Sequence, residues 1–506
     1  MARVNRIFLS VALAALGLFA ASCVTTDPTL GASYIPANQD ISIHTVDIDL
    51  PVGQKYADSL QTTVSSTVAV GSITTTAYGT VNVGTALTFT PASDSIIWGT
   101  DPIFKDMYIS LTAKSCQVLD KAQASIPQTI YVHQLNVELD STYVYNNSVS
   151  LADCKPGLVS KGVMLYTGSD TLVIHFTEDF AKPLFDLDRE TLDSTELFAK
   201  KFYGIYLHTD PVEEGTEGGR LNIFDASASQ VSFTYSSISG TGRRRDTTVN
   251  FNLGTYNAVM SIDKEKNFTE SDDAATLIRY EGLTGLKPHI DAKILRQRID
   301  DWMAANNIDP DALMVSRATL EFPFEYSGNV HDYDLWPDNL YPCRRLHGET
   351  YTVYSPISER YTSSYEHGEP NRSLFYFRSD VALYLQSLIR EKKEEVDENY
   401  DIWMIPTIEY TTSTSSSYND YYDYANYYAS MYGYGYGGYG YGYGYGGYDP
   451  YGYGYGYGYG YPYGYGSSSS GSTYYYVDSQ NYWMCEINGT AAARHPVLHL
   501  TYTVLK

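Results

Sequence analysis

Cysteine spacing of the zinc or redox kind is missing from this chain. Five cysteines stand in 506 residues, and no two of them form a C-x-x-C pair, which excludes thioredoxin-like and zinc-ribbon readings. Positive charge is scarce as well: 34 lysines and arginines face 59 acids, for a net charge of −25. A field of that sign repels phosphate backbones, so nucleic acid is excluded as a partner. No apolar run beyond residue 22 reaches the roughly 20 residues that a spanning helix needs. H-E-x-x-H, a Walker-type glycine loop and a G-x-S-x-G elbow are all absent, and with them the usual residues of metalloproteases, nucleotide enzymes and serine hydrolases. No cofactor or metal is expected.

The chain opens on an address. Arg3 and Arg6 precede an apolar run from Ile7 to Ala21, and Ala20-Ala-Ser22 leads into Cys23. The run has the length of a secretory h-region, and the small residues before the cysteine resemble a bacterial lipobox. Residues 1–22 are therefore expected to be a lipoprotein signal peptide and Cys23 the lipidated residue, held to the outer membrane by its acyl chains. The alternative is a plain cleaved signal with an incidental cysteine. Residues 23–40, rich in Thr, Pro, Ser and Asn, read as a tether.

From residue 41 the dominant pattern is apolar–polar alternation between turn signals, as in Val46-Asp-Ile-Asp-Leu50 and Ile130-Tyr-Val132, the mark of half-buried strands. Helical spacing appears only over Lys293–Asn306, Val381–Lys393 and, more weakly, Thr191–Phe202. The expected fold is mainly β: two related jelly-roll-like β-sandwich units, at 41–240 and 245–506, with a few short helices. The relation rests on matched segments. Asp106–Ala113 pairs with Asp311–Ala318 at an offset of about 205, Leu172–Asp179 with Leu374–Asp380 at roughly 201, and Gly204–Leu207 with Asp401–Met404. Val231–Ser236 pairs with Leu498–Thr503 at about 267. The jump locates an insertion at 411–473, expected to be a hairpin loop grown long and disordered.

That insertion is tyrosine and glycine in near-strict alternation, and no lysine or arginine occurs from Asp401 to Ala493. Alternating glycine maximises the entropy lost on ordering, while each tyrosine offers a flat amphipathic ring. Tyr434, Tyr443 and Tyr453 stand for its contact surface, and three readings remain open: self-association or adhesion, glycan contact, or a tolerated expansion. Trp336, in His331-Asp-Tyr-Asp334-Leu-Trp-Pro-Asp338, is a further candidate contact residue, read otherwise as the anchor of an exposed loop. Cys116 with Cys154, and Cys343 with Cys485, are possible disulfides, the alternative being four independent thiols. Arg243-Arg-Arg245 falls between the two expected units, and Asp47, Asp49, Asp186 and Asp188 read as solvent-side alternation.

Several short motifs carry a family resemblance. Trp98-Gly-Thr-Asp-Pro-Ile-Phe104, Gly218-Gly-Arg-Leu-Asn-Ile-Phe-Asp225, Arg279-Tyr-Glu-Gly-Leu-Thr-Gly285, Arg317-Ala-Thr-Leu-Glu-Phe-Pro323 and Leu500-Thr-Tyr502 follow the lipobox. Together they resemble the domain-of-unknown-function lipoprotein family 4270 of Bacteroidetes. The resemblance implies a cell-envelope lipoprotein and carries over no catalytic residue. The expected function is non-enzymatic: an outer-membrane lipoprotein that binds glycan or a surface protein, or contributes to adhesion or matrix. The competing readings are a polysaccharide-acting hydrolase and a purely structural envelope component.

Overall fold

The computed structural model describes residues 42–412 and 472–504, apart from short gaps around 59, 64–66, 94–95, 120, 141–144, 214, 327–332, 348–351 and 358–365. Cys23, the tether, and Tyr434, Tyr443 and Tyr453 lie outside the described residues, as does most of the 411–473 insertion.

The architecture is mainly β, with antiparallel sheets and few short helices. One sheet system uses β3 (Thr67–Thr75), β4 (Gly79–Pro91), β5 (Thr100–Val118), β6 (Gln128–Gln134), β7 (Met164–Tyr166), β8 (Thr171–His175), β9 (Ile205–Thr209), β10 (Gly218–Ile238) and β11 (Arg244–Lys264). Its strand order is β7-β6-β9-β4-β11-β10-β5-β8, with β3 pairing both β10 and β4. Side chains alternate across each strand, so Leu87, Phe89, Ile130, Val132 and Leu207 from one half meet Met107, Ile109, Ile174, Val231 and Phe233 from the other in one core.

The second system comprises two five-stranded sheets. One runs β1-β23-β14-β18-β17, from β1 (Ile43–Asp49), β14 (Leu313–Pro323), β17 (His367–Asn371), β18 (Tyr376–Asp380) and β23 (Val497–Val504). The other runs β16-β15-β19-β13-β2, from β2 (Val52–Tyr56), β13 (Leu286–Ile290), β15 (Tyr341–His347), β16 (Thr352–Pro356) and β19 (Ile402–Ile405). Ile48, Val52, Ile290, Leu320, Phe377, Leu388, Ile402 and Leu498 share the core between them. Two further ladders complete the strand set: β12 (Leu277–Glu281) with β22 (Met484–Asn488), and β20 (Thr407–Thr412) with β21 (Ser472–Val477).

The paired strands do not follow a division at 240–245. β1 and β2, at the start of the described chain, pair with β23 and β13 of the C-terminal half. β11, beyond the expected boundary, pairs with β10 and β4 of the first half. Each unit is thus closed by one ribbon: β11 pairs with β10 along its first part and with β4 along its last, while β1 and β2 each pair into one of the two five-stranded sheets of the second unit. In β11 the crossing falls near Gly254, whose φ of 64° suits glycine. In the second unit it falls at Leu50-Pro51, between β1 and β2. Arg243-Arg-Arg245 belongs to the β10–β11 hairpin, where Arg244 meets the Asp101 carboxylate.

Strand equivalence between the halves follows the repeat. β5 lies between β10 and β8, as β14 lies between β23 and β18. The register does not. Val231 pairs with Ile109, and Leu498 with Leu320, so equating Val231 with Leu498 equates Ile109 with Leu320 rather than with Met314. Alternating strands match equally well after any even slip, because the same face stays inward.

The helix Ala292–Ala305 is capped by Asp291, whose carboxylate accepts from the Ile294 N–H. Ala382–Arg390 forms the second expected helix, and its first turn is capped from a distance: Glu359 accepts from the N–H groups of Leu383 and Tyr384 at 2.9 and 3.0 Å. The Thr191–Phe202 stretch breaks into Arg189–Leu192 and Thr195–Lys201, because Asp188 and Ser194 each cap a new start. The insertion leaves from the end of the β20–β21 ladder, where Thr412 pairs with Ser472. At its root Tyr475 stacks on Tyr341 and His367, with centroids 5.6 and 5.3 Å away.

The β1–β23 seam carries histidine–carboxylate pairs. His499 lies 2.7 Å from Asp47 on β1 and 3.2 Å from Glu321 on β14, and Glu321 is also held by Arg378. His495 lies 2.9 Å from Asp49. The Glu321 contact, with Asp47 behind it, raises His499 above its ordinary value. A raised base contributes stability that is complete below about pH 6.5 and fades as pH rises through the folded-state value. The stability difference between the native chain and His499→Gln should therefore be largest near pH 6 and shrink towards pH 8. Urea unfolding across that range checks it; a constant or growing difference would contradict the pairing.

Candidate functional site

On β6, Ile130 and Val132 are fully buried, which turns Thr129, Tyr131 and His133 to the opposite face. On β9, Ile205 and Leu207 point into the core. Tyr206 and His208 turn to the other face, where Tyr206 is buried in a small cluster with Ala86, Leu135 and Val259 and His208 is half-buried. The register places Tyr131 opposite His208 and His133 opposite Tyr206. Their rings lie nearly parallel. Centroids are 5.1 Å apart for Tyr131–His208, 5.2 Å for His133–His208 and 5.7 Å for Tyr206–His208, with interplanar angles of 24°, 22° and 23°. The Tyr131 hydroxyl donates to Asp210 at 2.7 Å. His133 Nδ1 lies 2.9 Å from the Gly157 carbonyl, which fixes its ring. Leu165, on the edge strand β7 opposite Thr129, is 64% exposed and extends the surface.

Burial pulls His208 below its ordinary value, so its imidazole is neutral at pH 7 and stacks without charge. The result is a strip of rings on one sheet face, with a carboxylate at one end. Flat apolar faces bordered by a hydrogen-bond acceptor suit the stacking of a pyranose ring. No single motif announces it, since Tyr131 and His208 are joined only by strand pairing. The alternation in each strand carried the facing information, and the pairing of β6 with β9 did not show.

A second polar cluster lies where the sandwiches meet. Glu281, fully buried, sits 3.2 Å from the Lys264 ammonium at the end of β11 and accepts from the Tyr482 hydroxyl at 2.5 Å. Lys287, also buried, donates to the carbonyls of Glu281, Leu283 and Gly285. Burial raises Glu281 and lowers Lys287 to about 7. Both groups are buried, and the apolar cluster shared by the two units draws Ile73, Val81, Leu221 and Met260 from the first and Tyr341, Cys343, Trp403 and Tyr482 from the second. The cluster ties the units together and has no surface for a ligand.

The motifs of the family resemblance occupy similar structural posts. Trp98 packs on Phe185, Phe233 and Tyr235. Arg220, 1% exposed, donates to the carbonyls of Ala124 and Tyr166. Arg279 to Glu281 ends β12, and Lys287 holds the turn that follows through Gly285.

The remaining sequence candidates are dispersed. Cys116, Cys154, Cys343 and Cys485 are all free thiols, so the two possible disulfides are not formed. Cys343 is buried between the units and Cys485 in the core of the second, while Cys116 is exposed on β5 and Cys154 bridges Leu135. Trp336 does not present its ring to a ligand: it packs on Phe324, Tyr333 and Phe377 at 4.7, 4.8 and 5.8 Å. Asp334 pairs with Lys121, and His331 and Asp332 lie outside the described residues. Asp47 and Asp49 form the histidine pairs of the β1 seam, and Asp188 caps a helix. Among the described residues no cluster of three metal-ligating side chains occurs, and no helix is long and apolar enough to cross a membrane.

Fold and strip together define a mainly β protein of two sandwiches with an aromatic sheet face. Comparison with family models, with curated proteins and with solved structures returns no match.

Proposed function

We propose that the protein is a non-enzymatic lipoprotein of the outer membrane, anchored through Cys23, that binds glycan on the Tyr131–His133–His208 strip. The observation that carries the binding half is the stack of near-parallel rings on an outer sheet face, beside the Asp210 carboxylate. Sandwich folds host many functions, so the argument rests on the strip and not on the fold. The anchor is supported by the lipobox-like residues before Cys23 and by the family resemblance.

Neutral glycans fit the strip better than anionic ones, given the net charge of −25 and the acceptor at Asp210. Stacking contacts contribute about 0.5–1.5 kcal/mol per ring beyond area burial. Removing two rings, as in Tyr131→Ala/His208→Ala, should therefore weaken binding to glycan-array hits about tenfold or more while leaving the melting temperature nearly unchanged. Hits retained in full by the double variant would sink the strip as the site, and release of reducing ends from a bound polysaccharide would make the protein an enzyme. Cys23→Ala is expected to leave the membrane fraction.

A further inference from the structure

We infer that a hollow between β15–β16 and the helix Ala382–Arg390 is a second binding site, for the carboxylate of a hexuronate, with Arg344 as its anion contact. A cavity of about 290 Å³ opens there, lined by Arg344, Ser355, Ile357, Leu383, Ser387 and Tyr400 among others. Arg344 stands on β15 directly opposite Ser355 on β16. Its Nε donates to the Asn399 carbonyl at 2.6 Å, and its guanidinium lies 4.7 Å over the Tyr400 ring. Those two contacts fix the guanidinium plane and leave its two Nη groups without a hydrogen bond among the described residues.

The charge balance makes that arrangement informative. Acids outnumber bases 59 to 34, and Arg244, Arg279, Arg296, Arg317 and Arg378 each sit in an ion pair. Arg344, only partly exposed, has no carboxylate within ion-pair distance among the described residues. The helix N-terminus beside the hollow is not the anion site, because Glu359 already accepts from its Leu383 and Tyr384 N–H groups. The Tyr400 hydroxyl is likewise committed, donating to Glu391 at 2.6 Å. What remains open is a guanidinium fork, the group best matched to a carboxylate in two parallel hydrogen bonds.

The rest of the lining sets the body of the ligand. Ser355 and Ser387 offer hydroxyls for sugar hydroxyls, while Ile357, Leu383 and the Tyr400 ring offer apolar walls. The volume sits at the low edge of ligand pockets, about 300–1,000 Å³, room for one monosaccharide unit rather than a chain. This site does not depend on the aromatic strip, and its failure leaves the strip untouched.

Isothermal titration of the full chain with sodium glucuronate, glucose and sodium butyrate tests it. Glucuronate should bind, with glucose and butyrate each at least tenfold weaker. Arg344→Gln should lose glucuronate binding tenfold or more at an unchanged melting temperature, and Arg317→Gln should not. Should Arg344→Gln fail to fold, Ser387→Phe, which fills the hollow, should show the same loss. Glucose binding as tightly as glucuronate, absence of glucuronate binding, or binding retained in a folded Arg344→Gln would each overturn the site. Butyrate matching glucuronate would overturn its assignment to a sugar acid.

Discussion

Deleting residues 42–56 is expected to unfold the second sandwich and leave the first standing. β1 pairs with β23 from Ile43↔Thr503 to Asp49↔Val497, and β2 pairs with β13 from Val52↔Ile290 to Tyr56↔Leu286. Ile48, Leu50 and Val52 are buried in the second core. Losing one buried aliphatic side chain costs about 2–5 kcal/mol, so losing three rivals the 5–15 kcal/mol that holds a whole domain. The deletion also bares an edge on each of two sheets. The first sandwich closes with β11, its own contiguous ribbon, and keeps its core. Hydrogen exchange read by mass spectrometry should show protection lost over the strands of 277–412 and 472–504 and kept over those of 67–264. Protection persisting in the strands of 277–412 and 472–504 would refute the closing role of the ribbon. A peptide of residues 42–56, added back, should restore it.

Glu281→Ala should cost about 3–5 kcal/mol, because it strands the Lys264 ammonium in a buried site without its carboxylate. The tyrosine hydroxyl of Tyr482 loses its acceptor in the same stroke. Replacing both charges, as in Lys264→Met/Glu281→Met, should recover most of that loss, since a buried pair rarely outweighs its own desolvation. Chemical denaturation of the single and double variants decides between the two. If Glu281→Ala cost under 1 kcal/mol, water would have to reach the junction, and the seal between the units would be refuted. Lys264 belongs to the ribbon of the first sandwich and Glu281 to the second system, so the loss should appear as weakened cooperativity between them.

The elements legible in the sequence were those with local causes. Alternation gave the strands, the helical spacing over Lys293–Asn306 gave the long helix, and the jump in offset gave the place where the insertion leaves its hairpin. Within that helical spacing Ile294 is exposed, and Leu295 takes the buried place beside Ile299 and Met303. What stayed hidden is long-range pairing. Val46-Asp-Ile-Asp-Leu50 reads as a strand at once, yet nothing local says that its partner is Leu498-His-Leu500. The same blindness assigned β1 and β2 to the first unit and β11 to the second. It also paired cysteines by nearness along the chain, whereas Cys343 and Cys485 belong to different cores. For the candidate site, each strand showed which residues face outward, and only the β6–β9 ladder brought Tyr131 to His208. Trp336 reads as the aromatic anchor of a polar loop, and three neighbouring rings claim it for packing.

The ribbon that closes the second sandwich imposes an order in time. Ile48 leaves the ribosome first and pairs with Leu498, about 450 residues later. At synthesis rates of roughly 5–20 residues per second, β1 waits on the order of a minute for its partner. The first sandwich can complete itself meanwhile, nested between the two ends of the other. During that interval Ile48, Leu50 and Val52 present apolar strand to whatever is near, which makes these few residues the stretch where a holding chaperone has the most to do.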